Sequence, residues 1–313
     1  MSRLRMAVIG VGSLGQHHAR ILAAMPHADL VGVVDIKPDR AREVAAQYGT
    51  TAYSNASELV GRVDAVSIAT PTLLHVAVAL PFVESGAAVL VEKPLAATVE
   101  DADRLLAAAD ARGTVLAVGH TERFNPAVAA ALPLVSRPKF VEIHRLGTFP
   151  ERSLDIDVIF DLMIHDLDLL LTSVGSDVVD LEVVGVNVLT PKADIANARI
   201  RFASGCIANL TASRISREKV RKARFFQQDA YVSIDFGARE AEMYRLVRGD
   251  GRPVIQGGPI PVSPEEPLQR ELADFVSAVR ASRAPTVSGA AGREALALAT
   301  RIADAMQSAA GLP

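Results

Sequence analysis

The sequence predicts an α/β protein: an N-terminal doubly wound parallel sheet, then an α+β domain with longer, mostly antiparallel strands. Three observations carry this. The first third alternates short, continuously apolar, β-branched runs with Ala-rich stretches of helical spacing, which is how strands buried on both faces read. After about residue 121 the apolar runs lengthen, and turn signals such as Ala203-Ser204-Gly205 separate them. A length of 313 residues exceeds what one core usually supports, so two domains are expected, 1–121 and 122–313.

Each element has a local reason. Arg5 to Ile9 reads as a strand, and Leu14, His18, Ile21, Leu22 and Met25 then recur at helical spacing until Pro26. Leu30 to Val34 is a second strand, and Pro38 to Tyr48 a helix that Gly49 stops. Ala65 to Ala69, Ala88 to Val91 and Val115 to Val118 are further strands with helices between them. In the second domain strands are expected at Phe140–Leu146, Val178–Leu189, Ala198–Phe202, Ile207–Arg214, Ala230–Phe236 and Met243–Val247. One helix, Val158–Thr172, interrupts them. Two more, Glu265–Ala281 and Gly292–Ala309, close the chain, and Gly249 to Pro267 reads as a loop.

Composition excludes several classes of function. With 33 basic and 36 acidic residues the net charge is -3, which does not suit a nucleic-acid backbone. Trp is absent and aromatics are 4%, so stacking platforms are not expected. The single cysteine, Cys206, allows no intrachain disulfide, suits a reducing compartment and reads as a small buried residue. The apolar stretch from Leu73 to Val91 contains His75, Pro81, Glu84 and Gly86, which a membrane helix would have to bury. A soluble, cytoplasmic protein is expected, with no membrane and no nucleic-acid partner.

Gly10-Val11-Gly12-Ser13-Leu14-Gly15 fits G-x-G-x-x-G between a strand and a helix, with Asp35 at the end of the second strand. Gly10 permits the tight turn, Gly12 the approach of a pyrophosphate, and Gly15 close helix–strand packing. Asp35 would accept the ribose hydroxyls and repel a 2′-phosphate, which favours NAD. Lys37 and Arg40 nearby keep NADP open. His18 falls on the apolar face of its helix and reads as packing.

Two further constellations could carry chemistry. Glu92-Lys93-Pro94 ends a buried strand, at the sheet edge where doubly wound folds bind ligands. Lys93 there could stabilise a developing alkoxide, or could simply pair with Glu92. Asp161 and His165 are four apart, with Asp168 three beyond, in a strongly apolar helix. An imidazole held by a carboxylate suits a general base. A purely structural pair remains the alternative, and no metal is expected. The run from Ser213 to Arg224 holds six basic residues. It is either a solvated basic edge or, with Arg145 and Arg152, a set of donors for a pyrophosphate that includes Arg214.

Together these motifs resemble the Gfo/Idh/MocA oxidoreductase family. The resemblance rests on Gly10 to Gly15, Ala69-Thr70-Pro71 with His75, Glu92-Lys93-Pro94, Gly119-His120-x-x-Arg123-Phe124-Asn125-Pro126 and Asp161-x-x-x-His165, in that order. It implies a Rossmann domain, a second domain with a large, mostly antiparallel open sheet, and oxidation of a sugar or cyclitol carbon by a nicotinamide cofactor. It also implies roles. Lys93, His165 and Asp161 act at the reacting hydroxyl, and Glu92 contacts the nicotinamide ribose. Thr70 and Pro71 line the adenosine side, with His75 in the same cofactor set. Arg123 and Asn125 join the substrate set. An open sheet face implies a homodimer or homotetramer.

A narrower resemblance, to UDP-N-acetylglucosamine 3-dehydrogenases that accompany lipid A biosynthesis, rests on five segments. They are His144-Arg145-Leu146, Phe149 with Arg152-Ser153-x-Asp155, Asp161 to Asp166, Asp194 to Arg199 and Gly205 to Arg214. It implies a UDP-sugar substrate. A free sugar, an inositol, another nucleotide sugar, or a cofactor-binding regulator without turnover are the alternatives.

Overall fold

The computed structural model describes residues 3–149, 156–248 and 252–310. The chain divides into two units, Met1–Thr121 with Pro267–Leu296, and Glu122–Glu266 with Ala297–Pro313.

In the first unit β1 (Leu4–Ile9), α1 (Gly15–Ala24), β2 (Ala28–Val34), α2 (Pro38–Tyr48), β3 (Thr51–Tyr53), β4 (Ala65–Ile68), α3 (His75–Glu84), β5 (Ala88–Glu92), α4 (Val99–Arg112) and β6 (Leu116–Gly119) alternate. The sheet order is β3-β2-β1-β4-β5-β6, and every strand pair is parallel. That is the order of a dinucleotide-binding sheet with its switch point between β1 and β4. Strands β4, β5 and β6 are buried at every residue, which explains their unbroken apolar runs.

The second unit holds α5 (Pro126–Ala131), β7 (Phe140–Leu146), a π-helical turn at Ile159–Met163 and α6 (Ile164–Val174). Seven strands follow: β8 (Val178–Val186), β9 (Ile195–Phe202), β10 (Ile207–Ser213), β11 (Val220–Phe226), β12 (Ala230–Asp235), β13 (Glu240–Val247) and β14 (Val254–Pro259). Their order is β14-β13-β12-β11-β7-β10-β9-β8, with only β7 and β10 parallel. Strand β7 alternates strictly: Val141, Ile143 and Arg145 are buried, while Phe140, Glu142, His144 and Leu146 are half-buried on the other face. Its partners repeat the pattern, with Ala208, Leu210 and Ala212 opposite the buried set. The sheet therefore has one covered face and one open face.

Three expectations need correction. Pro267–Leu296, assigned to the second domain, belongs to the first unit. There α7 (Pro267–Ala281) inserts Leu272, Phe275 and Val276 into the core formed by Met6, Val8, Leu22 and Val33. An amphipathic helix joins whichever apolar surface remains uncovered, and chain order does not reveal which one that is. The second correction concerns Gly249 to Pro267, expected as a loop. Val254–Pro259 pairs with β13 as an edge strand, because its backbone groups find partners despite Gly257 and Gly258. Third, part of the basic run is strand β11, whose Ala223 is buried between Lys222 and Arg224 and whose Phe225 is buried next to Arg224. The last helix, α8, spans Gly289–Ala310.

Candidate active site

The phosphate-binding turn has the geometry that its glycines require. Gly10 has φ +85°, and a Cβ there would stand 2.8 Å from the Ala69 carbonyl oxygen. A Cβ on Gly15 would meet the Gly10 carbonyl oxygen at 1.8 Å, so α1 packs on the turn only because that atom is missing. A Cβ on Gly12 would meet nothing within 4 Å. Gly12, Ser13 and Leu14 are exposed, so this stretch of backbone is open to an incoming pyrophosphate at the start of α1.

Asp35 is held by two backbone donors, Val11 N–H to Oδ2 at 3.0 Å and Lys37 N–H to Oδ1 at 2.9 Å. Each oxygen keeps a lone pair for a ribose hydroxyl. Arg40, one of the two cations that left NADP open, is engaged elsewhere. Its Nε donates to the Val11 carbonyl at 2.9 Å, and its terminal nitrogens bond Glu43 and Gln16. Lys37 is exposed. The turn, Asp35 and a buried Thr70 Oγ1 with no hydrogen-bond partner among the described residues together fit a dinucleotide.

His75 occupies a different role from the one expected. It is 1% exposed, and its ring spans Nδ1 to the Pro94 carbonyl at 2.8 Å and Nε2 to the Thr70 carbonyl at 2.9 Å. Burial lowers its pKa, against those carbonyls and the charge of Glu92. A neutral ring donates to only one of them. His75 thus ties the loop after β4 to the loop after β5 and has no nitrogen left for a cofactor. Pro71, beside it, is exposed.

Glu92 is buried at the end of β5. Its carboxylate accepts the Lys93 N–H at 3.2 Å and lies 3.1 Å from His18 Nε2, while His18 Nδ1 meets Ser67 Oγ at 2.7 Å. It rests over Gly119, where a Cβ would stand 2.9 Å from its Cδ. His18 is therefore part of a polar chain, not packing alone. Lys93 is half-buried, and the Lys93–Pro94 peptide is cis.

In the second unit, Asp161 lies within the π turn and His165 in the first turn of α6, both half-buried. Asp168, expected near the same face, is instead buried with Arg123 Nε 3.1 Å away. Burial pushes its carboxyl up to about 6, against the pull of Arg123. Asp166 takes Arg145 Nε at 2.9 Å and Nη2 at 2.6 Å, and Arg145 Nη1 reaches Glu122 at 2.8 Å. Against the burial that would strip its proton, the charges of Asp166 and Glu122 raise the Arg145 pKa. The two aspartates that follow His165 in α6, Asp166 and Asp168, thus pin the helix to β7 and to the segment before α5.

These contacts revise the expected substrate set. Arg123 and Arg145 are consumed in buried ion pairs. Asn125 caps α5 through Oδ1 and the Ala127 N–H at 3.1 Å, and donates to the Phe236 carbonyl at 3.1 Å. Arg214 is 2% exposed; it donates Nε to Asp194 at 3.0 Å and Nη2 to the Ala193 carbonyl at 3.1 Å. Arg152 lies outside the described residues. Arginines beside apolar strand residues look alike in sequence, whether they face a ligand or a buried aspartate. Sequence reading also missed Ser67 and Glu271. The only signal for Glu271 is an acid within the Leu268, Leu272, Phe275 stripe of α7. Among the described residues no three His, Cys, Asp or Glu side chains form a group that could hold a metal. Among the described residues no helix is long and apolar enough to cross a membrane.

Residues 4–120 match the model of an oxidoreductase family with an NAD-binding Rossmann fold, and residues 139–232 match the GFO/IDH/MocA C-terminal domain. A UDP-N-acetylglucosamine 3-dehydrogenase of Acidithiobacillus ferrooxidans is 42% identical over 310 residues, 98% of each chain. A solved structure of that dehydrogenase superposes with a TM-score of 0.92, covering 98% of this chain and 99% of the other. An inositol 2-dehydrogenase of Rhizobium meliloti is 28% identical across 95% of this chain and 94% of its own. A levoglucosan dehydrogenase in complex with NADH shares the fold at a TM-score of 0.89, with 20% identity and 98% of each chain covered.

Proposed function

The chain belongs to the Gfo/Idh/MocA family of oxidoreductases, and from that premise we propose that it oxidises C3 of UDP-N-acetylglucosamine to a ketone with NAD. The observation that carries the substrate is the 42% identity, spread over 98% of both chains, with a relative of that activity.

The turn from Gly10 through Gly12, Ser13 and Leu14 to Gly15 takes the pyrophosphate, and Asp35 the adenosine ribose. Thr70 and Pro71 line the adenosine side, and Glu92 the nicotinamide ribose. Ile36 and Leu73, 92% and 83% exposed, supply apolar cover next to Asp35 and Pro71. The bound nicotinamide supplies the hydride acceptor. Lys93 holds the substrate hydroxyl and stabilises the developing alkoxide. His165 takes the hydroxyl proton, and Asp161 orients the reacting group. Asp35 favours NAD, and NADP would have to rely on Lys37, since Arg40 is engaged.

With Arg145 and Arg214 held internally, a pyrophosphate would fall to the exposed Arg217, Lys219 and Arg221 just before and within β11. The internal pairing of those two arginines is also what favours the second reading, a free sugar or inositol as substrate. The open face of the second sheet carries Phe140, Phe226 and Tyr231 with ring centroids 5.6 and 5.2 Å apart. A second copy covering it would make a homodimer or homotetramer. A cytoplasmic location suits a nucleotide-sugar substrate, and a 3-keto product suits an aminotransferase of the kind that serves lipid A biosynthesis.

The test is NADH formation with UDP-N-acetylglucosamine beside other UDP-sugars, N-acetylglucosamine and inositols. Turnover confined to the UDP-sugar supports the reading. Equal turnover of the free sugar overturns the nucleotide-sugar assignment, and no turnover of any overturns the dehydrogenase.

A further inference from the structure

The turn that carries Asp161 is irregular, and its start is clasped from outside the helix. The Asp157 carbonyl accepts the Phe160 N–H and the Asp161 N–H, each at 3.1 Å, from three and four residues on. The Ile164 N–H then reaches back five residues, to the Ile159 carbonyl. The ladder therefore widens between Asp161 and His165, and the angle between those two side chains is not that of a regular helix. Something must fix where the widened turn begins.

Two bonds to one residue do so. Asp157 Oδ1 accepts the Ala193 N–H at 2.9 Å, and the Val158 N–H donates to the Ala193 carbonyl at 3.2 Å. Ala193 lies in the connection between β8 and β9 and is 1% exposed, and Val158 is fully buried. The same carbonyl takes Arg214 Nη2 at 3.1 Å, and the Arg214 N–H bonds the Asp194 carbonyl at 3.0 Å. Ala193 thus joins the turn to the end of β10. Without the Asp157 carboxylate its N–H is buried without that acceptor, and the Val158 bond alone leaves a single point about which the turn can swivel.

We propose that Asp157 is a positioning residue for the dehydrogenation, holding through Ala193 the turn that carries Asp161 and leads into His165. The proposal rests on the reading that Asp161 and His165 meet the reacting hydroxyl. Asp157 is one backbone hydrogen bond from Asp161, so a shift at the clasp passes directly to that carboxylate. A misplacement of about 1 Å at a reacting group costs roughly a hundredfold in rate.

The experiment is steady-state kinetics of the full chain with NAD and UDP-N-acetylglucosamine, in wild type, D157L, D157N and D161N, with NADH affinity read by fluorescence. D157L lowers kcat by about ten- to a hundredfold, while KM for the sugar nucleotide and Kd for NADH stay near wild type. D157N, whose amide oxygen still accepts the Ala193 N–H, keeps kcat within about threefold of wild type. Wild-type kcat in D157L overturns the proposal, as does a D157N as slow as D157L. NADH affinity lost in step with kcat also overturns it, because it marks general damage to the fold. D161N tests the underlying reading by itself. Near-native turnover there takes Asp161 out of the chemistry, whereas a slow D161N beside an unimpaired D157L overturns the positioning role alone. If D157L does not fold, D157E takes its place. Its longer side chain displaces Ala193 while keeping an acceptor, so kcat falls at unchanged KM, and a kcat equal to wild type overturns the proposal.

Discussion

Arg214 donates its Nε to Asp194 Oδ1 at 3.0 Å where both side chains are almost wholly out of solvent, at 2% and 0% exposure. Asp194 also collects the N–H groups of Val188, Leu189 and Thr190 and the Thr190 hydroxyl, at 2.6–2.9 Å. One carboxylate therefore organises the connection between β8 and β9 and anchors the end of β10. Removing one partner leaves the other charge buried and alone, which costs about 3–5 kcal/mol. Arg214→Ala should lose that much stability in urea unfolding. A variant as stable as wild type, with only a raised KM for a nucleotide sugar, would return Arg214 to the substrate.

Against the burial that would raise it, the N–H groups of Leu189 and Thr190, the Thr190 hydroxyl and the Val188 N–H hold Asp194 well below the usual carboxylate range. A depressed folded pKa gives stability that is present above the unfolded value and lost as pH falls through the folded one. Asp194→Asn should therefore be less stable than wild type at neutral pH, with the gap narrowing below about pH 4. A gap that does not change with pH in thermal melts would mean the charge of Asp194 is not what matters.

Glu271 has the opposite sign. Its folded pKa is raised, so proton binding favours the folded state, and stability declines as pH rises from the unfolded value, about 4.3, towards the folded one. Glu271→Gln removes that decline. Melting temperatures of the variant and wild type should be close near pH 4 and separate by neutral pH in favour of the variant. Convergence at neutral pH would show that the carboxyl pays no burial cost.

Two glycines of one turn should behave differently. Gly15→Ala places a methyl 1.8 Å from the Gly10 carbonyl oxygen and should destabilise the protein by roughly 1–3 kcal/mol or more. Gly12→Ala meets nothing within 4 Å, so the melting temperature should hold while NADH affinity, read by fluorescence, drops at least about tenfold. An unstable Gly12→Ala would mean that this glycine serves the fold.

Lys93→Ala and His165→Ala should each lower turnover by about a hundredfold or more. NADH binding should persist in both. Asp35→Ser should narrow or reverse the preference for NAD over NADP. Near-native turnover in either of the first two removes that residue from the chemistry, and a wild-type preference for NADP would mean Lys37 outweighs Asp35.

Local pattern was enough to determine part of this protein. The glycine turn, Asp35 and the buried runs of β4, β5 and β6 were legible because a parallel sheet with both faces covered demands continuous apolar strands, and a phosphate turn demands glycine. The positions of Lys93 at a strand end and of Asp161 and His165 in an apolar helical run were equally visible. What the arginines bond was not. Arg123, Arg145 and Arg214 find Asp168, Asp166 and Asp194 only when strands and helices distant in sequence pack together. The return of α7 to the first unit, the carbonyl bridge of His75 and the burial of Glu271 follow from the same cause. A buried polar group is defined by the partners that replace its water, and those partners are chosen by tertiary packing.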